Sequence, residues 1–308
     1  MKGGETPPAD GAVVCLGESL VDLLCEREVD SLRDADEFRP HLGGALANVA
    51  VACRRAGAAT RLVSGAGDDP WGDWLRDSLG GEGIEMGAFA LVDGGPTPVA
   101  FVTLRPGGEP EFHVYGEGIA AAMGAAAKGL DAALERGGAL AFGSNTLVSE
   151  PERALTMRAR ATALGTGKPV LFDPNLRPTR WDDLDDALEL CRELTADAFV
   201  VRTNREEARL ITGEDDAAAA AERMCELGAT LGVVSLGPDG ALVRGAASAH
   251  VPGVEVEVVS TLGAGDTFFG TLAAGLARVG WDASRAAEAL PAAVEASADA
   301  CTRWGAWA

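Results

Sequence analysis

A chain of 308 residues with 47% hydrophobic and only 5% aromatic residues, and with 40 glycines, can bury a large core without disulfide or metal staples and suits an alternating α/β fold. Its formal net charge of −21, from 26 basic and 47 acidic side chains, repels nucleic-acid backbones and anionic membrane faces, so neither is an expected partner. The six cysteines are scattered without a Cys-x-x-Cys pair, which argues against zinc and for free thiols in a reducing, cytoplasmic compartment.

Residues 1–11 are polar, carry Pro and Gly, and lack the apolar stretch of a signal peptide; they read as a loose tail ahead of a single domain over 12–308. No run is long and apolar enough to span a membrane. A buried strand over 12–16 leads into Gly17-Glu18-Ser19-Leu20-Val21-Asp22, where alternation returns and continues toward Cys25. Two glycines, Gly43 and Gly44, then open a small-residue helix that holds Asn48 one turn in. A strand over 61–64 and a helix over 71–79 follow.

The stretches 98–104 and 111–115 read as a hairpin around the turn Arg105-Pro106-Gly107-Gly108. Together with the early alternating region they predict a small sheet, a lid contributed by about 17–40 and 97–116. The Ala-rich tract 120–127 reads as helix. Beyond it, strands over 139–142, 169–172, 198–201 and 231–235 alternate with helices over 151–164, 205–211 and 217–227. A strand over 256–259 precedes a last helix with apolar residues at Phe268, Leu272, Leu276 and Val279. Such alternation implies βαβ units and a largely parallel, doubly covered sheet, with ligands beyond the carboxyl ends of its strands.

Several candidate site segments sit at such ends. Ser260-Thr261-Leu262-Gly263-Ala264-Gly265-Asp266 breaks into a helix, where glycines admit a ligand close to the backbone and the first-turn N–H groups form an anion site. A phosphoryl group in flight is what such a site would stabilise. Asp266 in that turn either caps the helix or accepts the proton of an attacking hydroxyl. Asn48 either bonds backbone or, with Asp22, meets ligand hydroxyls. Asp173-Pro174-Asn175-Leu176-Arg177 is either a plain surface turn before a proline or a ligand-binding strand end whose Arg177 supplies a cation. Asn204 and Glu207 offer oxygens one turn apart, for a helix cap or for water-mediated Mg²⁺. Ser235 and the run Gly237-Pro238-Asp239-Gly240 form a hairpin turn or lay backbone along a nucleotide.

Taken together, from about Val13 to Ala306, these segments resemble the ribokinase-like (PfkB) carbohydrate kinases, and within them the fructokinase-like members. The Gly-Gly-Ala-x-Ala-Asn block at Gly43–Asn48 and the Thr-x-Gly-Ala-Gly-Asp-Thr-Phe block at Thr261–Phe268 carry the resemblance. So do Gly17-Glu18-x-Leu20-Val21-Asp22, Gly67-Asp68-Asp69-Pro70-Trp71-Gly72, Asp173-Pro174-Asn175-Leu176-Arg177 and Cys301-Thr302-Arg303-x-Gly305-Ala306.

The resemblance implies a Rossmann-like, doubly wound sheet with a small β lid. A sugar would sit under the lid against Asp22, Gly43, Gly44 and Asn48, and Arg177 would reach phosphate or substrate. It implies Asp266 as the base, Gly263, Ala264 and Gly265 as the anion hole, and ATP along Asn204, Ser235, Gly237 and Gly240, with Glu207 and Asn204 organising Mg²⁺ through water. Many members place Asp before the Thr of the last block, where it supports K⁺; Ser260 stands here, a poorer ligand, so weak K⁺ activation is expected. Ala298 and Ala300 offer no polar group to read a purine.

The expected reaction is phosphorylation of a sugar hydroxymethyl group, with fructose or a related ketose first, 2-keto-3-deoxygluconate second and a nucleoside third; a non-catalytic sugar-binding regulator is the reading from another class. Substrate choice is expected to rest on Phe101, Arg105, His113 and Tyr115 of the lid, whose exposed edges suggest a homodimer.

Overall fold

In the computed structural model, which describes residues 11–105 and 109–307, strand β1 (Ala12–Leu16) turns Val13 and Cys15 into one apolar cluster and Val14 and Leu16 into another. A strand apolar on both faces must be covered on both. It lies inside a nine-stranded sheet and is flanked on one side by β4 (Thr60–Gly67) and β5 (Glu85–Val92). On the other side come β8 (Gly137–Gly143), β9 (Val170–Asp173), β10 (Val200–Asn204) and β11 (Leu231–Ser235), all parallel. Only β12 (Ala241–Gly245) and β13 (Ala249–Val251) join antiparallel at that edge.

Helices α1 (Ala45–Arg55), α8 (Ala264–Arg278) and α9 (Leu290–Ala300) cover one face of the sheet. The other face is covered by α3 (Ile119–Arg136), α4 (Glu150–Gly165), α5 (Leu184–Thr195), α6 (Arg205–Thr212) and α7 (Ala217–Glu226). Phe142 and Phe172 stack there at 5.0 Å. This is the ribokinase-like α/β architecture that the motifs imply. Among the described residues no helix is long and apolar enough to cross a membrane.

The lid is a separate four-stranded mixed sheet in the order β3 (Arg39–Gly43), β2 (Leu20–Glu28), β6 (Val99–Arg105), β7 (Glu109–Tyr115). Leu20, Leu24, Ala100, Val102 and Leu104 of its inner face pack with Leu262, so the lid leans on the loop that starts α8. Its base is pinned by Asp69, which caps α2 (Pro70–Gly81) by accepting from the N–H groups of Trp71 and Gly72. The same carboxylate accepts from the Thr97 backbone (2.8 Å) and hydroxyl (2.7 Å) just before β6. The Gly67–Gly72 motif thus has a structural task.

Two features differ from expectation. Residues 256–259 form no strand: the Val259 N–H donates to the Cys301 carbonyl at 2.8 Å, past the end of α9, and Val254 and Val258 stand about half exposed, 47% and 52%. These valines wall a cleft instead of filling a sheet. The hairpin turn expected at 237–240 joins β11 to β12, whereas β5, β13, α5 and α9 have no counterpart among the expected elements, because their apolar positions are partial or broken by charges. The expected tail, but for Gly11, and Pro106-Gly107-Gly108 of the expected turn lie outside the described residues.

Candidate active site

Because β1 sends the chain to β4 on one side and, later, to β8 on the other, a crevice opens at its carboxyl end, where open α/β sheets bind ligands. A cavity of about 510 Å³ lies there, and a second of about 770 Å³ adjoins it past the ends of β10 and β11. They share Arg202, Asn204, Thr261 and Gly265 as a common wall.

Helix α8 begins at that wall. Gly263 is its N-cap with φ 76°, and a Cβ there would collide with Ala306, so the turn requires glycine. Gly265 lies so close to the Arg202 guanidinium that a Cβ would sit 2.9 Å from Nη1. No side chain caps the helix. Asp266 instead accepts from Asn48 Nδ2 at 3.0 Å through Oδ2 and from Asn175 Nδ2 at 3.3 Å through Oδ1. Of the two expectations for Asp266, capping is therefore not the one observed. Burial raises its pKa to about 6; Asn48, Arg177 and Arg202 oppose that rise, and Glu18 adds to it.

The smaller cavity holds Asp22, Gly44, Asn48, Arg177 and Asp266 together, and Gly43 stands behind Asp22 at the β2–β3 pairing. Burial pushes Asp22 up to about 8, with the Asp266 charge adding and Arg177 opposing. Glu18 accepts through Oε1 from the Ala45 N–H (3.3 Å) and Asn145 Nδ2 (3.0 Å), and its buried Oε2 has no partner among the described residues. Arg177 donates to Asn175 Oδ1 at 2.6 Å and lies 5.2 Å over the Phe112 ring.

The lid faces this cavity with Leu20, Asp22, Ala100, Pro110, Phe112 and Val114. The expected determinants Phe101, Arg105, His113 and Tyr115 do not line it. Strand alternation places His113 and Tyr115 opposite to Phe112 and Val114, Phe101 packs edge-on against Phe38 and Tyr115, and Arg105 pairs with Glu111 at 2.9 Å.

The larger cleft is lined by Asn204, Ser235, Gly237, Gly240, Ala264 and Gly265, with apolar walls of Leu236, Val254, Val256, Val258, Phe268, Val294 and Ala298. Asn204 and Glu207 form a full capping box at α6, and Glu207 Oε1 also accepts from the Leu176 N–H at 2.9 Å. Burial pushes Glu207 up, with Asp173 adding and Arg202 opposing. Arg202, a cation inside a buried strand, bridges Asp173 (3.0 Å) and the Ser235 hydroxyl (2.7 Å). The Ser260 hydroxyl is buried and accepts from the Leu262 N–H at 3.1 Å.

The model of the pfkB family of carbohydrate kinases matches residues 10–307. The chain is a member of that family, a phosphotransferase. Fructokinase-1 of Oryza sativa subsp. japonica is 34% identical over 269 residues, covering 84% of this kinase and 81% of the rice protein. A doubly mutated fructokinase from Vibrio cholerae O395, solved with fructose, ADP and a potassium ion, is 27% identical with a TM-score of 0.82, covering 97% of this kinase and 94% of that chain. The aminoimidazole riboside kinase of Salmonella enterica, solved with aminoimidazole riboside and an ATP analog, is 27% identical with a TM-score of 0.79, covering 96% and 95%.

Asn145, Asn175, Arg180, Arg202 and Trp307 of this kinase join the site beyond the residues expected from the sequence. Asn145 was findable, since it follows a buried strand just as Asp173 does, and so was Arg202, a lone charge among valines. Trp307 carried no such signal.

Proposed function

We propose that the protein transfers the γ-phosphoryl group of ATP to a hydroxymethyl group of a sugar, with fructose or a related ketose as the first substrate to test. The observation that carries this reading is Asp266, half-buried in the smaller cavity and next in sequence to Gly265 of the wall shared with the larger, apolar-walled cleft, in the first turn of α8. Asp22, Glu18 and Asn145 meet the sugar hydroxyls. Asp266 accepts the proton of the attacking hydroxyl as its oxygen bonds to the γ-phosphorus and the bond to the β-phosphate oxygen breaks, leaving ADP. The N–H groups of Gly263 and Gly265 and the Arg202 charge stabilise the transferring oxygens, while the Ala264 N–H is taken by the Thr261 carbonyl.

The fit to Mg²⁺ follows from the donor set. Among the described residues no cluster of three or more His, Cys, Asp or Glu can hold a metal directly. The Asn204 and Glu207 oxygens already accept backbone N–H bonds and retain lone pairs for water, which suits a hydrated ion held mainly by phosphate. Bound there, Mg²⁺ neutralises phosphate charge.

A second reading has its own observation. The hydrogen bonds of Arg177 and Arg180 go to amide and carbonyl oxygens, so among the described residues neither cation facing the smaller cavity is hydrogen-bonded or ion-paired to a carboxylate, although Arg177 acts on Asp22 and Asp266 through space. A keto-deoxy sugar acid would supply one. ADP release from ATP and Mg²⁺ across ketoses, aldoses, keto-deoxy acids and nucleosides decides: turnover of fructose alone supports the first reading, and preference for the acid supports the second. Sugar binding without any turnover overturns both in favour of a sensor.

A further inference from the structure

The segment after α9 returns under the catalytic turn. Ala306 packs against Gly263, Gly305 packs against the His41 ring, and Trp307, 9% exposed, sends its indole N–H to Asn48 Oδ1 at 3.0 Å. The other end of the same amide donates to Asp266 at 3.0 Å. Arg55 lies 5.0 Å over the Trp307 ring and is itself held by two hydrogen bonds to Glu82, at 2.7 and 2.8 Å. A line of contacts therefore runs from Glu82 at the surface through Arg55, Trp307 and Asn48 to Asp266.

We infer that Trp307 is a positioning residue for catalysis: it holds the Asn48 amide in the single orientation that points N–H, never C=O, at Asp266. This rests on Asp266 being the base. An amide has one donor end and one acceptor end. While Asp266 is ionised, the carboxylate alone would keep the donor end facing it. Once Asp266 has taken the substrate's proton, an unrestrained amide could turn and accept from the new O–H, which would trap the protonated form. Trp307 blocks that turn, because a rotated amide would set N–H against N–H. Asn48 therefore favours the ionised base throughout the cycle, in keeping with its opposition to the burial-driven rise of the Asp266 pKa.

The other charged groups around Asp266 are Asp22 on β2, Glu18 after β1, Asp173 on β9, Arg177 and Arg180 after β9, Arg202 on β10 and Glu207 on α6. A substitution at 307 alters none of them.

The test replaces Trp307 in the full chain by β-(3-benzothienyl)alanine, which keeps the ring shape and removes the N–H, alongside Trp307→Phe, and measures kcat/KM against pH. The expected result is an acid limb near pH 6 in the parent that moves up by about half a unit or more in the analogue, one hydrogen bond's worth of bias. An analogue profile that superimposes on the parent's overturns the inference, because a role in packing alone needs only the ring. If Trp307→Phe fails to fold, the analogue still decides. A parent without any acid limb refutes Asp266 as the base instead, and the two failures are distinguishable.

Discussion

The smaller cavity surrounds about 510 Å³ with Glu18, Asp22, Asp266, Glu207, Arg177, Arg180 and Arg202, whereas the larger cleft shares Arg202, adds Arg205, Glu206 and Glu255, and sets most of its remaining lining as valine, leucine, phenylalanine, glycine and alanine. Buried polar groups demand particular partners, and in the first cavity Asn48 and Asn175 orient the Asp266 carboxylate while Asn145 orients Glu18. Apolar walls demand only contact area, and the cleft takes its direction from backbone at Gly237, Gly240 and the start of α8. On the proposed assignment of the smaller cavity to the sugar and the larger cleft to the nucleotide, chemical discrimination belongs on the sugar side and tolerance on the nucleotide side. Substitutions in the charged cavity should be severe and specific in kind.

The largest effect is expected from Asp266→Asn. Removing a positioned base should lower kcat by ~10² or more while calorimetry still registers ATP binding, since the cleft walls are untouched. Turnover within about tenfold of the parent would mean that the charged cavity binds without doing proton transfer.

Asp22→Asn comes next and separates recognition from stability. Losing a buried hydroxyl-binding carboxyl should raise the sugar KM by roughly tenfold, about 1.4 kcal/mol. Its effect on stability has the opposite sign. The folded pKa of about 8 lies above the ordinary 3.8, so the folded state holds a proton that the unfolded state releases. The stability this contributes is full below about pH 4 and is lost as pH rises through about 8. Asparagine has no such proton to lose. Denaturant midpoints of variant and parent should thus diverge from pH 4 to pH 9 in favour of the variant, and a constant difference would refute the buried, proton-holding Asp22.

How much of this the sequence disclosed follows the same division. The βαβ succession, the ends at Asp173, Asn204 and Ser235, and the break into α8 were legible, because parallel strands covered on both faces are written as short apolar runs and ligand sites follow them. The direction of lid side chains was not, since β7 presents Phe112 and Val114 inward only through its register with β6, and register is a tertiary fact. The valines at 254, 256 and 258 imitate a strand, yet with no neighbouring strand to pair them they wall the cleft. Trp307 lies 259 residues from its partner Asn48, and no local pattern encodes a contact at that distance.

The smallest effect concerns the turn beneath the anion site, and it asks whether the nucleotide side relies on backbone alone or on a bound cation. The Ser260 hydroxyl is buried and already accepts from the Leu262 N–H, while the N–H groups of Val259 and Ser260 both go to the Cys301 carbonyl, at 2.8 and 3.3 Å. The turn is thus closed by its own hydrogen bonds, and the serine oxygen brings no charge to attract K⁺. Exchanging choline for K⁺ should change kcat by less than about twofold, because a neutral hydroxyl is a weak ligand for a hard cation. Ser260→Asp should reverse this. A carboxylate buried at that position is costly unless a cation pairs with it, so the melting temperature of the variant should climb with K⁺ concentration while the parent's stays flat. A parent that itself melts higher in K⁺ would show that the cation is held by backbone carbonyls of the turn, and the nucleotide side would then depend on a charge as surely as the sugar side does.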